Sequence, residues 1–271
     1  LYLSDLGVPA LASEDIKPFL LRLKIQGASL EGEDFLIIKN LIESFNRVYT
    51  FFKLHSMRTP SMQDKLAHLQ KNKTVPDEID RVLDRRGVVK TSASSELGKI
   101  RGALNKKRTA ADRIFYRAVK KYQASGMLAD IQETVHDNKR VLAIEGAYKG
   151  QVNGVFHGSS AKSSIFFVEP SETQEVNNEI AVLEEEEKRE VTRILRLLTA
   201  FVGIYRDDLR DYSTALYQID FVNAKALYAL DEEACLPQLV DKPSIHLIKA
   251  INPVLRSFNG PKGKPVVPLD M

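Results

Sequence analysis

The sequence has no tryptophan, a single cysteine and no long apolar run. The lone Cys235 excludes an intrachain disulfide and fits a reducing, cytoplasmic setting. A thiol of this kind is expected to be buried and inert. No stretch approaches the ~20 apolar residues that span a bilayer, and none reads as a secretory leader. Neither the Gly-x-x-x-x-Gly-Lys-Ser/Thr phosphate loop nor a Gly-x-Gly-x-x-Gly turn occurs. His55, His68, His136, His157 and His246 show no metal-ligand spacing with Cys or acidic residues. His157, Ser159, Ser160 and Glu169 contain a nucleophile and a base in principle, but no third orienting group accompanies them. The chain therefore reads as a non-enzymatic part of a protein.

What is present is mostly helix. Phe35, Ile38, Leu41, Ile42, Phe45, Val48, Tyr49 and Phe52 step by three and four, which predicts a helix over 33–55. A short helix over 14–25, capped by Ser13, precedes it. Weaker helices are expected over 62–70 and 76–83, the latter with Pro76 in its first turn. A long one runs from Ser95 to Ala124, with Ser92 or Ser94 as cap and Leu97, Ile100, Leu104, Phe115, Val119 and Tyr122 on its apolar face. From Ser171 to Leu236 no proline interrupts the periodicity. A continuous helix of that length spans on the order of 90 Å, with Gly203 as a candidate bend.

One segment differs. Over 131–170 the apolar runs Val141–Ile144, Val152–Phe156 and Ile165–Val168 alternate with turn chemistry at Asp137-Asn138, Tyr148–Gly150 and Gly158–Ser164, which predicts a small β-module. The fold class that follows is mainly α. Two long antiparallel helical arms carry a small antiparallel β-module at their tip. Beyond Pro237, Ile245–Ile251 reads as a strand ended by Pro253, and Val266–Leu269 as the start of another. Leu1 is not an initiator Met and the chain stops abruptly, as expected for a piece of a longer protein.

The net charge of +3 is uninformative, but its distribution is not. Nine basic residues (Lys99, Arg101, Lys106, Lys107, Arg108, Arg113, Arg117, Lys120 and Lys121) face one acid, Asp112, between 99 and 121. Eight acids face Lys188 and Arg189 between 172 and 190. Antiparallel pairing of the arms brings Lys121 near Glu172 and Lys99 near Glu190. The two blocks then neutralise each other, or the basic arm contacts nucleic acid. At the module's turns, Lys139, Arg140, Lys149, Lys162, Ser159 and Ser160 are groups that contact phosphate oxygens without reading sequence.

Two stretches carry a family resemblance. Asp84-Arg-Arg-Gly-Val-Val-Lys-Thr-Ser-Ala-Ser-Ser-Glu-Leu-Gly-Lys-Ile-Arg101 is one. His157-Gly-Ser-Ser-Ala-Lys-Ser-Ser-Ile-Phe-Phe-Val-Glu-Pro170, followed by Glu175–Ile180 and Glu187–Val191, is the other. They resemble the MutS family, in its type-two bacterial branch. Ala250–Leu255 and Lys264–Asp270 resemble the lead into that family's ATPase domain. Three positions depart from the family pattern: Gly158 in place of Asp, Lys162-Ser163 in place of Ser-Gly, and Asn252 in place of His.

The resemblance implies a helical core and outgoing lever over 1–130, a clamp insert over 131–171, a returning lever over 172–236 and the start of an ATPase domain over 237–271. It implies sequence-independent contact to duplex or branched DNA in recombination control or repair. Lys139, Arg140, Lys149, Ser159, Ser160 and Lys162 would lie at the tip, with Lys120 and Lys121 below it. ATP and Mg would bind outside this chain, the whole protein would be a homodimer, and the ribosome is an alternative partner.

Overall fold

The computed structural model describes residues 8–11, 14–136, 139–160 and 164–271. The chain forms eight α-helices and four β-strands among these residues. The helices are α1 (Lys17–Arg22), α2 (Gly32–Leu54), α3 (Pro60–Leu66), α4 (Thr74–Val82), α5 (Ser95–Ala124), α6 (Ser171–Ile204), α7 (Arg206–Asp231) and α8 (Pro253–Asn259). The strands are β1 (Leu128–His136), β2 (Lys139–Glu145), β3 (Gly154–Ser159) and β4 (Ile165–Pro170).

They sort into two compact units. One holds residues 14–42 and 72–210, the other residues 8–11, 43–71 and 211–271. In the second, Phe45 stacks on Tyr212 at 4.1 Å between ring centroids, and the Tyr212 hydroxyl donates to the Gln70 carbonyl at 2.8 Å. Val48, Phe52, Leu66, Leu69, Leu216 and Ile219 are buried there.

The first unit is built on the antiparallel pair α5 and α6. The α5 helix starts where its capping chemistry puts it: the Ser94 hydroxyl accepts from the Leu97 N–H at 3.0 Å, satisfying one of the open donors of the first turn. The same hydroxyl donates to Glu190 Oε1 at 2.7 Å, and Arg193 grips that carboxylate with both Nε and Nη2. Hydrogen bonds from Arg193 and Ser94 hold Glu190 down at about 2, from an ordinary 4.5. A carboxylate depressed in the folded state contributes stability above pH 4.5 and loses it as pH falls through about 2. Ser94→Ala removes both the cap and one of these bonds. A loss of about 1 kcal/mol at neutral pH is expected, with a shallower decline on the acid side, measured by urea unfolding across pH.

Before α5 the chain makes a tight turn. Asp84 Oδ1 accepts from the N–H groups of Arg86 and Val88, Leu83 bridges Val89, and Gly87 sits at φ +79°. A Cβ on Gly32 would lie 1.8 Å from the Gly87 carbonyl oxygen. Only glycines permit this approach of the start of α2 to the turn.

The sheet is antiparallel in the order β1-β2-β4-β3. Leu142, Ile144, Val152 and Val168 pack against Phe115, Ala118, Val119 and Tyr122, so the module is seated on the last turns of α5.

Several expectations are corrected. The module has four strands, not three, because 128–136 pairs as β1 despite its weak alternation; it begins at Leu128 rather than 131. The long helix after Pro170 is two helices, interrupted at Tyr205, whose N–H turns back to the Val202 and Gly203 carbonyls. Asp207 and Asp208 then open α7, where carboxylates favour the positive end of the helix dipole. The 245–251 segment is irregular apart from a single bridge between Ala250 and Leu269, and Pro253 begins a helix instead of ending a strand. Asn252, one of the three departures, is its cap: its side chain accepts from the Val254 and Leu255 N–H groups. Pro76 stands third in α4, which starts at Thr74, α3 starts at Pro60 and ends at Leu66, and α1 covers only Lys17–Arg22. Ser13 and the Asp137-Asn138 turn lie outside the described residues. Cys235 is exposed, not buried, because it follows α7 in an irregular segment with no apolar face to bury.

Candidate nucleic-acid interface

The two charge blocks meet along α5 and α6. Arg101 pairs with Glu187 at 2.7 Å, Arg108 with Glu184 at 2.7 Å, Lys121 with Glu172 at 2.8 Å, and Lys107 with Glu179. From Arg101–Glu187 through Arg108–Glu184 to Lys121–Glu172 the number rises on α5 and falls on α6, as antiparallel packing requires. Lys121 meets Glu172 as anticipated; Lys99 does not meet Glu190 but pairs within its own helix with Glu96. Such pairs contribute ~0–1 kcal/mol each. Their main effect is to discourage other registers, in which like charges would face each other.

The tip cations have distinct environments. Lys139 on β2 pairs at 3.1 Å with Glu169, a β4 carboxylate only 2% exposed. His157 Nε2 and Asn177 Nδ2 contact the same carboxylate at 2.9 and 2.7 Å. Burial works to raise Glu169, but the hydrogen bonds from Asn177, His157 and Lys139 outweigh it and hold the group below its ordinary value. Arg140 forks between Asp112 and Glu133 and lies over the Phe115 ring at 4.6 Å. Arg140 thus fastens the module to α5, while Lys139 ties β2 to the β4 carboxylate that Asn177 of α6 also holds.

Lys149 is different. It follows the short helical turn Gly146–Tyr148, is exposed, and lies over the rings of Phe156 and Phe166 at 4.7 and 4.5 Å. Among the described residues it has no carboxylate partner. Ser159 ends β3 opposite Phe166. Ser160 brackets the turn, its hydroxyl accepting from the Ile165 N–H at 3.2 Å. Lys162 lies outside the described residues. Gly158 adopts φ +150° at a bulge in β3, a conformation that residues with a side chain rarely adopt.

His157 and Glu169 face each other rather than a hydroxyl, so the serines at this turn and the histidine form no nucleophile–base pair among the described residues. A cleft of about 590 Å³ is lined by Arg108, Asp112, Lys139, Arg140, Asn177 and Glu184. Its cations are already matched by carboxylates.

The basic block on α5 also splits into two faces. Lys106, Arg113, Arg117 and Lys120 are exposed and have no carboxylate partner among the described residues; Lys120 lies over Tyr116 at 5.3 Å. Of these only Lys120 was expected at a site. The spacing of 7, 4 and 3 residues places all four on one side of the helix, a signal that was present in the sequence.

No protein-family model matches the chain. Curated proteins do. Endonuclease MutS2 of Gemmatimonas aurantiaca is 31% identical across 99% of this chain. The chain is MutS2-related. Endonuclease MutS2 of a Geobacillus species is 30% identical across 89% of the chain, and that of Lactococcus lactis subsp. lactis 29% across 90%. The chain spans about a third of the length of these relatives, 33%, 31% and 31% respectively. Among the described residues no helix is long and apolar enough to cross a membrane.

Proposed function

We propose that this MutS2-related chain is a DNA-engaging arm-and-clamp part of a protein acting in recombination or repair, and that it contacts backbone phosphates rather than base edges. The levers correspond to 1–130 and 172–236, the clamp to 131–171, and 237–271 leads into an ATPase domain of the longer protein. That domain would hold ATP and Mg, and the longer protein would work as a homodimer closing two clamps on duplex or branched DNA in the cytoplasm. The observation that carries this assignment is Lys149. On a module whose Lys139 and Arg140 are consumed by ion pairs, Lys149 is exposed, has no carboxylate partner among the described residues, and is braced by two aromatic rings. A flexible lysine held in this way presents charge outward at a reduced entropic cost.

A second reading, protein or ribosome contact by the same module, is favoured by apolar exposure on its edge strands. Ile131 and Val135 on β1 are each 65% exposed, and Val155 and Phe156 on β3 nearly half. Unpaired strand edges with apolar side chains are common partner sites. Ionic strength separates the two, because phosphate binding weakens steeply with salt.

The test is a salt titration of the whole chain against a four-way junction, a plain duplex and a structured RNA, beside Lys149→Ala/Lys162→Ala. Loss of two phosphate contacts lowers the slope of log K against log salt by about 2. A slope unchanged by the double substitution would count against the tip as a phosphate site. Binding insensitive to salt favours the second reading.

A further inference from the structure

We propose that the outward face of α5, formed by Lys106, Arg113, Arg117 and Lys120, is a track for the phosphate backbone of double-stranded DNA. This rests on the DNA-binding reading above, and it moves much of the contact from the module's tip to the shaft of the helix.

The helix sorts its nine cations by face. At 100° per residue the four track residues fall within a sector of about 60°; Lys99 lies on the same side but pairs with Glu96. The buried positions Leu97, Leu104, Phe115 and Tyr122 lie on the opposite side. Arg101, Lys107, Arg108 and Lys121 lie outside that sector, toward the side that meets α6, and those four carry the ion pairs to it. Mutual neutralisation of the arms therefore accounts for those four cations and leaves the outer row unexplained. If solvation alone were the reason for charge there, acids would serve as well, and i,i+4 pairing with acids would add helix stability. The sector instead contains no acid. Besides its cations, the sector and the 20° on either side of it carry only small or hydroxyl residues among the unpaired positions: Ser95, Gly102, Thr109, Ala110 and Ala124.

This composition suits one kind of partner. Arg113 and Arg117 stand four apart, so side-by-side guanidinium groups repel each other along an exposed helix. That arrangement is unfavourable until a polyanion neutralises it. Small residues between the cations let a rod-like surface approach the helix backbone. From Lys106 to Lys120 the row extends roughly 20 Å, more than half a turn of duplex. Lysines and arginines without Asn or Gln among them hold phosphates and do not read bases.

The test compares two triple variants of the whole chain that change net charge equally. Lys106→Ala/Arg113→Ala/Arg117→Ala strips the track. Lys107→Ala/Arg108→Ala/Lys121→Ala strips cations already paired to α6. Alanine favours helix, and circular dichroism confirms that α5 persists. Binding of a labelled duplex is followed across salt. The track variant is expected to lose affinity on the order of tenfold or more at moderate salt, with the slope of log K reduced by about 3; the paired-cation variant keeps the parent's slope. Equal losses in both variants overturn the track, since bulk charge alone would then explain binding. Stripe-dependent binding of an RNA duplex without binding of the DNA duplex also overturns it. If Lys149→Ala/Lys162→Ala abolishes duplex binding while the track variant binds normally, the track fails and the tip reading stands. If the parent chain binds no DNA at any salt, both fail.

Discussion

Replacing Phe115 by Ala is expected to cost about 3–5 kcal/mol of unfolding free energy, the usual loss for a fully buried phenylalanine. Phe115 is 2% exposed and lies in the cluster that joins α5 to β2 and β4. Its ring also supports the guanidinium of Arg140, which in turn reaches Asp112 on α5 and Glu133 on β1. Removing the ring empties the centre of that cluster and withdraws the surface against which the Arg140 fork is set. Phe115→Leu, which fills most of the volume, separates the two contributions: it restores most of the packing but not the cation–π contact of ~0.5–1 kcal/mol. Chemical denaturation followed by circular dichroism measures both. A loss below about 1 kcal/mol for Phe115→Ala would mean that the module is not seated on α5 in solution.

Glu169→Ala should be nearly as costly, about 3 kcal/mol. One carboxylate receives a lysine from β2, a histidine from β3 and an asparagine from α6, while belonging to β4 itself. Its removal leaves the Asn177 amide and the His157 ring without their acceptor and Lys139 without its counter-charge. Lys139 is partly exposed, at 35% of its side chain, so water recovers some of the loss and the figure stays below that of a fully buried pair. Glu169→Gln keeps the shape and one acceptor, and is expected to cost about half as much. The folded-state pKa is depressed, so the charged carboxylate stabilises the fold at neutral pH and that contribution is lost on acidification through the depressed value. The Glu169→Gln protein should therefore show a flatter acid limb than the parent. An identical acid limb in both proteins would assign the acid sensitivity to other groups.

Both predictions concern the same physical point. The module's cations are not interchangeable. Lys139 and Arg140 are structural, Lys149 is exposed over aromatic rings, and the outward cations of α5 are exposed along the helix shaft. Substituting Lys139 to probe binding would confound lost contact with lost folding. The binding experiments therefore use Lys149, Lys162 and the track residues.

The sequence by itself determined the helix periodicities, the start of α5 at Ser95, the antiparallel match of the basic and acidic blocks and the existence of a β-module before Pro170. Each of these is local or nearly so. Apolar spacing, a serine cap and turn chemistry act within a few residues, and the charge blocks are long enough to specify register without exact contacts. Tertiary structure decided the rest. β1 is a strand because β2 offers it an edge, although its own alternation is weak. The long helix breaks at Tyr205, where the chain's hydrogen bonds turn back on themselves and no proline announces it. The division of the tip cations into anchors and free charge also depended on tertiary structure. Lys139 and Arg140 look like Lys149 in the sequence, but the carboxylates that claim them are 30 residues away at Glu169, 28 at Asp112 and 7 at Glu133. The outward row on α5 lies between these cases: its spacing was legible, but that its charges are unmatched became clear only when α6 was seen to take Arg101, Lys107, Arg108 and Lys121.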